Sequence, residues 1–258
     1  IESDRLSAIE AERLRKEREQ REAQERREKL VPQRLRTLGF TLAPNADVII
    51  PPTVEVPAGA FTMGSDKRRD RQAQDNEAQV QVNLAAFRIG TFPVTVAEYA
   101  CALAAKARGA PEAKDITEPG NWTQQQQKPD HPVVYITWLQ AIAYAEWLSK
   151  VTAQPWRLPS EAEWEKAARG TDGRIYPWGD QWDKTRANTS EGGVGGTSEV
   201  GRYRCNGPGD PASDVSPYGA SDMAGNVWEW TSSIYQQRYD IQSSENMSDR
   251  ASDRVLRG

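Results

Sequence analysis

Histidine is almost missing from this chain: His131 is the only one in 258 residues. A zinc or iron centre built on two or three histidines is therefore excluded within it. A histidine relay would have to use His131, in KPDHPVVYITW, where a turn or packing role is the plainer alternative. Cysteine is nearly as scarce. Cys101 and Cys205 make no disulfide framework, and we expect a cytoplasmic protein. Cys101 lies in an apolar helical run and reads as a small core residue. Cys205, in the loop GRYRCNGPG, implies no pairing. No run of 18 apolar residues occurs, so no membrane-spanning helix is expected. Positive charge is not in excess: the net charge is −4, which argues against a broad nucleic-acid-binding face. A signal-like stretch is missing too, and the first residue is Ile1 rather than methionine, as in a fragment or a processed chain.

Apolar residues make up 37% and charged residues 27%, so part of the chain should lie outside any core. That part is the N-terminus. Residues 1–30 contain no Gly or Pro, and acidic and basic residues balance. Glu and Arg recur at i,i+3 and i,i+4, which supports a solvated helix. Leu6, Ile9 and Leu14 do not repeat every seven residues, so no long coiled coil is indicated. We assign residues 1–38 to a charged helical extension, a spacer to a fused upstream domain, and 39–53 to a linker. The packed domain is expected over 54–258.

Within it, VEVPAGAFTMGS alternates at Val54, Val56, Phe61 and Met63 and reads as strand segments. These should pair with VQVNLAAFRIG across the charged loop 65–78. Three helices carry the same start signal. Thr95/Glu98, Thr137/Gln140 and Ser160/Glu163 each fit a capping box. The second helix puts Trp138, Ala141, Ile142, Ala145 and Leu148 on one face. The third ends at Gly170. Residues 171–222 then show little periodicity, and Trp178, Trp182, Tyr203 and Tyr218 are expected to pin them to the core.

One short stretch, AGNVWEW, places Glu229 between Trp228 and Trp230. A carboxylate near buried aromatics must be paired or must bind a cation, and no Lys or Arg follows until Arg238. A hard cation such as Ca²⁺ takes carboxylate and backbone carbonyl oxygens together. A turn at Ala224–Gly225–Asn226 could aim carbonyls at the Glu229 carboxylate, with Trp228 and Trp230 alternating away into the core. The alternative is that Glu229 accepts backbone amides in a loop.

The blocks GAFTMGS, FPVTVAEYA, PVVYITWLQAIAYAEWLS, WRLPSEAEWEKAARG, YPWGD, AN, YGASDMAGNVWEWTSS and RVLRG, in that order, resemble the formylglycine-generating enzyme / sulfatase-modifying-factor family. The resemblance runs over about residues 54–258. It implies a mixed α+β, C-type-lectin-like fold with little regular structure, stabilised by calcium. It implies calcium ligands at Ala224, Gly225, Val227 and Glu229, and a second calcium site at Asn188 and Thr189. The family's second site also uses an Asp-Gly-aromatic element, which SEGGVGGTSEVGRY lacks. The family's oxidases hold copper with two cysteines that follow the block beginning RVLRG, and neither Cys101 nor Cys205 matches them. We therefore expect a non-catalytic module that binds a protein or small-molecule ligand, part of a larger signalling, defence or retroelement-variable protein. Candidate contact residues are Tyr235, Tyr239, Trp122 and Trp182. The runner-up is a formylglycine-generating oxidase whose copper-binding cysteines lie beyond Gly258. Neither nucleic acid nor membrane is an expected partner.

Overall fold

The computed structural model describes residues 2–70, 73, 78–205, 210, 212–236 and 246–258, with side chains from Glu10 onward, Ala11 excepted. Among them, regular structure is limited to six α-helices, two single turns of 3₁₀ helix and four two-stranded antiparallel sheets. That agrees with the α+β class and its sparse regular structure.

Helix α1 (Glu2–Lys29) has no apolar stripe and is held by local charge pairs. Arg13 reaches Glu10 and Glu17, and Arg15 reaches Glu12 and Glu19, all exposed. At its C-terminal end Arg27 donates to the carbonyls of Ala43 (2.8 Å) and Ala46 (3.1 Å) and pairs with Asp47. None of the described helices is long and apolar enough to cross a membrane.

The packed unit starts earlier than residue 54. Helix α2 (Gln33–Thr37) buries Leu35, and the hairpin of β1 (Thr41–Leu42) and β2 (Ile49–Ile50) buries Ile49. With Val31, Phe40, Ala43 and Val48, these side chains join the largest core cluster. Residues 39–53 are thus core-forming rather than a linker. Their apolar positions are too few to show a period, yet they join one cluster with apolar residues of α3 and α5, and Phe40 stacks on Phe92.

Strands β3 (Thr53–Val56) and β6 (Phe87–Gly90) pair, as do β4 (Gly59–Met63) and β5 (Val80–Leu84). These are the pairings expected between the two alternating segments. Helices α3 (Val96–Ala107), α5 (Trp138–Thr152) and α6 (Glu161–Arg169) all begin with the complete capping box, both hydrogen bonds present. The short α4 (Trp122–Gln125) precedes α5. β7 (Glu229–Ile234) and β8 (Arg254–Arg257) form the last sheet, with a bulge between Trp230 and Ile234. From 171 to 222 the described chain has one turn of 3₁₀ helix, Ser190–Gly192, and otherwise runs as loops.

The first capping box sits inside the core. Glu98 is buried, and its Oε2 accepts from the Thr95 amide and hydroxyl at 2.7 Å each, while Oε1 has no partner. Burial raises its pKa from 4.5 to about 7, with the Thr95 bonds pulling the other way. Between those values the folded chain keeps a proton that the unfolded chain has released. Stability from this group is therefore full below pH 4.5 and is lost as pH rises towards 7. Glu98→Gln keeps an acceptor for Thr95 without a charge. Urea midpoints at pH 5 and pH 8 should converge in this variant relative to the parent protein. An unchanged gap between them would refute the assignment.

Candidate cation corner

The stretch from Asp222 to Glu229 is a tight, left-handed turn feeding directly into β7. Asp222 (φ 60°), Gly225 (φ 121°) and Asn226 (φ 68°) all have positive φ. Gly225 is required there on two counts. Its φ is disfavoured for other residues, and a Cβ would stand 2.7 Å from the Asn188 carbonyl oxygen. Asn226 locks the turn from the other side. Its amide donates to the Asn188 carbonyl (2.8 Å), and its side-chain Oδ1 accepts from the Ser198 amide (2.8 Å) and from Asn188 Nδ2 (3.1 Å). Asn188 Nδ2 also donates to the Gly196 carbonyl at 2.8 Å. The Thr189 carbonyl accepts from the Gly192 amide at 3.0 Å.

Asn188 and Thr189, expected as a separate calcium site, thus lie against the Ala224–Glu229 segment and brace it. Asn188 uses its carbonyl and its side-chain N–H groups for this.

Glu229 starts β7 opposite Arg257, but Arg257 turns to other carboxylates: Glu165 at 2.8 Å and Glu161 at 3.4 Å. No cation pairs with Glu229 among the described residues. Its carboxyl faces α6, where the buried indole N–H of Trp164 finds no hydrogen bond of normal geometry. Loss of water raises the Glu229 pKa to about 8; Trp164 pulls it down and the Asp222 charge adds to the rise.

Two further carboxylates stand in the same corner, and the sequence reasoning missed both. Asp222 is buried and accepts from the Gly201 amide at 2.7 Å, while its own amide donates to Asp214 Oδ2 at 2.7 Å. Burial first, then the Asp214 charge, pushes Asp222 up to about 7. Asp214 is buried as well, raised by desolvation, and its Oδ1 has no partner. The signal available for Asp222 was its place in the same turn, three residues before Gly225. Nothing local marked Asp214.

An excess of buried negative charge with unfilled oxygen lone pairs suits a hard divalent cation. Among the described residues, no three of His, Cys, Asp and Glu come together as a metal-binding group. A cation here would therefore take at most two carboxylates, Glu229 and Asp222. Backbone oxygens would supply the rest, and the half-buried Ala224, Gly225 and Val227 offer them.

The structure reverses one expectation outright. Trp228 is 72% exposed, not in the core. Alternation along β7 puts Trp228 and Trp230 on one side and Glu229 on the other, and it is the carboxylate that faces inward. Trp230 is half-buried and donates from Nε1 to the Ile136 carbonyl at 3.0 Å. Of the contact candidates, Trp122 is buried against Tyr99 and is withdrawn. Tyr235 and Trp182 are exposed. Tyr239 lies outside the described residues. His131 bonds the Thr197 hydroxyl through Nδ1 at 2.9 Å, a packing role. Trp178 stacks on Tyr176 and Trp182 packs at a tilt against both, instead of entering the core.

A family profile described as "Sulfatase-modifying factor enzyme 1-like domain" matches residues 40–258. The chain is 29% identical over 263 residues to a formylglycine-generating enzyme of Bos taurus, covering 81% of this chain and 66% of that protein. It is 32% identical over 224 residues to "Inactive C-alpha-formylglycine-generating enzyme 2" of Mus musculus, covering 72% and 70%. The chain thus spans about two thirds of the length of such relatives. Among solved structures it is similar to PvdO from Pseudomonas aeruginosa, with a TM-score of 0.60, 29% identity and 81% of each chain covered. It shares its fold with Treponema denticola variable protein 1, with a TM-score of 0.53, 21% identity, and 80% and 82% covered.

Proposed function

The chain belongs to the sulfatase-modifying factor enzyme 1-like family, and from that premise we propose that residues 1–258 act as a calcium-stabilised, non-catalytic binding module. One observation carries the non-catalytic part, the state of the two thiols. The family's oxidases need a pair of thiolates for copper. Cys101 is buried in α3, and loss of water raises its thiol to about 11. Cys205 is exposed and donates from Sγ to the Ala212 carbonyl at 3.4 Å. A buried, protonated thiol and a surface one are no copper-binding pair. The relative named inactive is consistent with a family member of this kind.

Calcium would be held by Glu229 and Asp222 with carbonyls of Ala224, Gly225 and Val227. It would supply positive charge beside Glu229, which pairs with no cation among the described residues, and would tie the turn to β7 and α6. Asn188, Thr189 and Asn226 hold that turn in place. On this view the ligand of the module is a protein or a small molecule, met through exposed aromatic side chains such as Trp228 and Tyr235.

The second reading is an oxidase whose copper-binding cysteines follow Gly258, favoured by the relatives named formylglycine-generating enzyme. Two cysteines a few residues apart in the sequence after Gly258 would favour this second reading, and a direct assay tests whether residues 1–258 are themselves catalytic. Residues 1–258 are incubated with copper(I), O₂ and a cysteine-containing peptide, and aldehyde is captured with a hydrazide probe. The expected result is no aldehyde above the enzyme-free control. Turnover lost in Cys205→Ser would overturn the binding-module reading.

A further inference from the structure

A cleft of about 310 Å³ opens on the surface beside the YPWGD turn, lined by Arg69, Asp172, Arg174, Trp178, Gly179 and Asp180. That volume is at the low end for small-molecule sites, ~300–1,000 Å³. Its polar walls are built rather than incidental. Arg69 pairs with Asp180 at 2.6 Å and also donates to the Gly173 carbonyl at 3.1 Å. Arg174 grips Asp172 through Nε (2.9 Å) and Nη2 (2.6 Å), and donates to the Pro177 carbonyl at 3.0 Å. Asp180 in turn accepts from the Ile175 amide at 3.1 Å. Each charged group is therefore aimed by a backbone contact as well as by its partner.

The chemistry of the walls restricts the ligand. Two guanidiniums and two carboxylates cancel, so neither an anion nor a cation gains a net charge partner. Hydrogen bonding to Arg174 and Arg69 holds Asp172 and Asp180 below their ordinary value, so both are acceptors at neutral pH. The mouth therefore offers guanidinium donors and carboxylate acceptors in adjacent pairs. A hydroxyl group both donates and accepts, and can bridge such a pair without breaking it. Beside these groups stands an aromatic surface. Trp178 lines the cleft, with Tyr176 at 5.5 Å and Trp182 at 6.0 Å between ring centroids. Arg186 covers part of Trp178 at 5.1 Å, and Trp182 is 38% exposed. Indole surface next to planar polar groups suits a ligand with an apolar face and a polar edge.

The geometry points to a binding site for a neutral, polyhydroxylated ring, a monosaccharide or the end of a neutral oligosaccharide, between Arg69 and the 172–180 turn. This site is separate from the cation corner, and it stands whether or not the protein is a catalyst.

Tryptophan-fluorescence titrations of the 258-residue protein test it, using neutral hexoses and their N-acetyl derivatives, with inorganic phosphate and tetramethylammonium as charged probes. Saturable binding of at least one neutral sugar is expected, with none by the charged probes. Asp172→Ala removes an exposed acceptor without touching the core, and Trp178→Ala removes the aromatic wall. Each should weaken the sugar by about tenfold or more, a difference of about 1.4 kcal/mol, and Asp172→Ala should leave the melting temperature unchanged. No saturation by any sugar overturns the assignment. So does saturation by phosphate or tetramethylammonium alone, or sugar binding that is unweakened in Asp172→Ala.

Discussion

Calcium added to chelator-stripped protein should raise its melting temperature, and Glu229→Gln should abolish the rise. A ligand that binds only the native state at 100 times its Kd contributes about 2.7 kcal/mol. For a domain of this size that corresponds to roughly 5–10 °C. The effect should be large because Glu229 has no cation of its own: Arg257, opposite it, is bound to Glu165 and Glu161, and the nearby charge of Arg204 is felt by Asp214 and Asp222. The pH dependence follows from the two raised carboxyls, Asp222 at about 7 and Glu229 at about 8. Both must lose their protons to bind the ion. Without calcium, the folded chain holds protons that the unfolded chain has released above pH 4.5, so these groups make the fold less stable as pH rises to 8. With calcium, that loss should shrink, and the calcium-induced shift should grow between pH 6 and 8. Differential scanning fluorimetry with and without chelator reads both. An equal shift in Glu229→Gln, or no shift in the parent protein, would sink the cation assignment.

The second large effect concerns Glu165, which no local pattern distinguishes from the exposed glutamates around it. It is 2% exposed and receives three donors: the Gly64 amide at 2.7 Å, Arg169 Nη1 at 2.6 Å and Arg257 Nη2 at 2.8 Å. Through it, β4, α6 and β8 share one carboxylate. Glu165→Ala would leave two guanidiniums without their main counter-charge, which typically costs about 3–5 kcal/mol when the pair is buried. Arg257 is itself 23% exposed, so we expect the lower half of that range. Glu165→Gln keeps acceptors and should cost less. Equilibrium urea unfolding at pH 7 measures both variants. A loss below about 1 kcal/mol in Glu165→Ala would show that solvent replaces the carboxylate.

The helix starts were legible because capping is local. Thr95, Thr137 and Ser160 need only a partner three residues away, so the sequence contains the whole interaction. The two strand pairings near the start of the domain were legible for a similar reason: two alternating segments separated by one charged loop have few other partners. The core role of residues 31–50 was not. Leu35 stands alone among polar residues and Val48–Ile50 is too short a run to show a period, while much of the cluster they join comes from α3 and α5, far along the chain.

For the candidate site the division is sharper. Glu229 could be singled out because a carboxylate between two tryptophans is chemically awkward, and Gly225 because a turn was needed before it. The sequence by itself determined that Glu229 and its flanking tryptophans point to opposite sides, since alternation is a property of any extended strand. Which side is inside depends on packing against α6, and only the tertiary structure decided that the carboxylate goes in and Trp228 goes out. It also decided that Asp222, with Asp214 against it, is brought near Glu229. The charge density of that corner arises from loops that meet in space, and no period or spacing along the chain encodes a meeting of that kind.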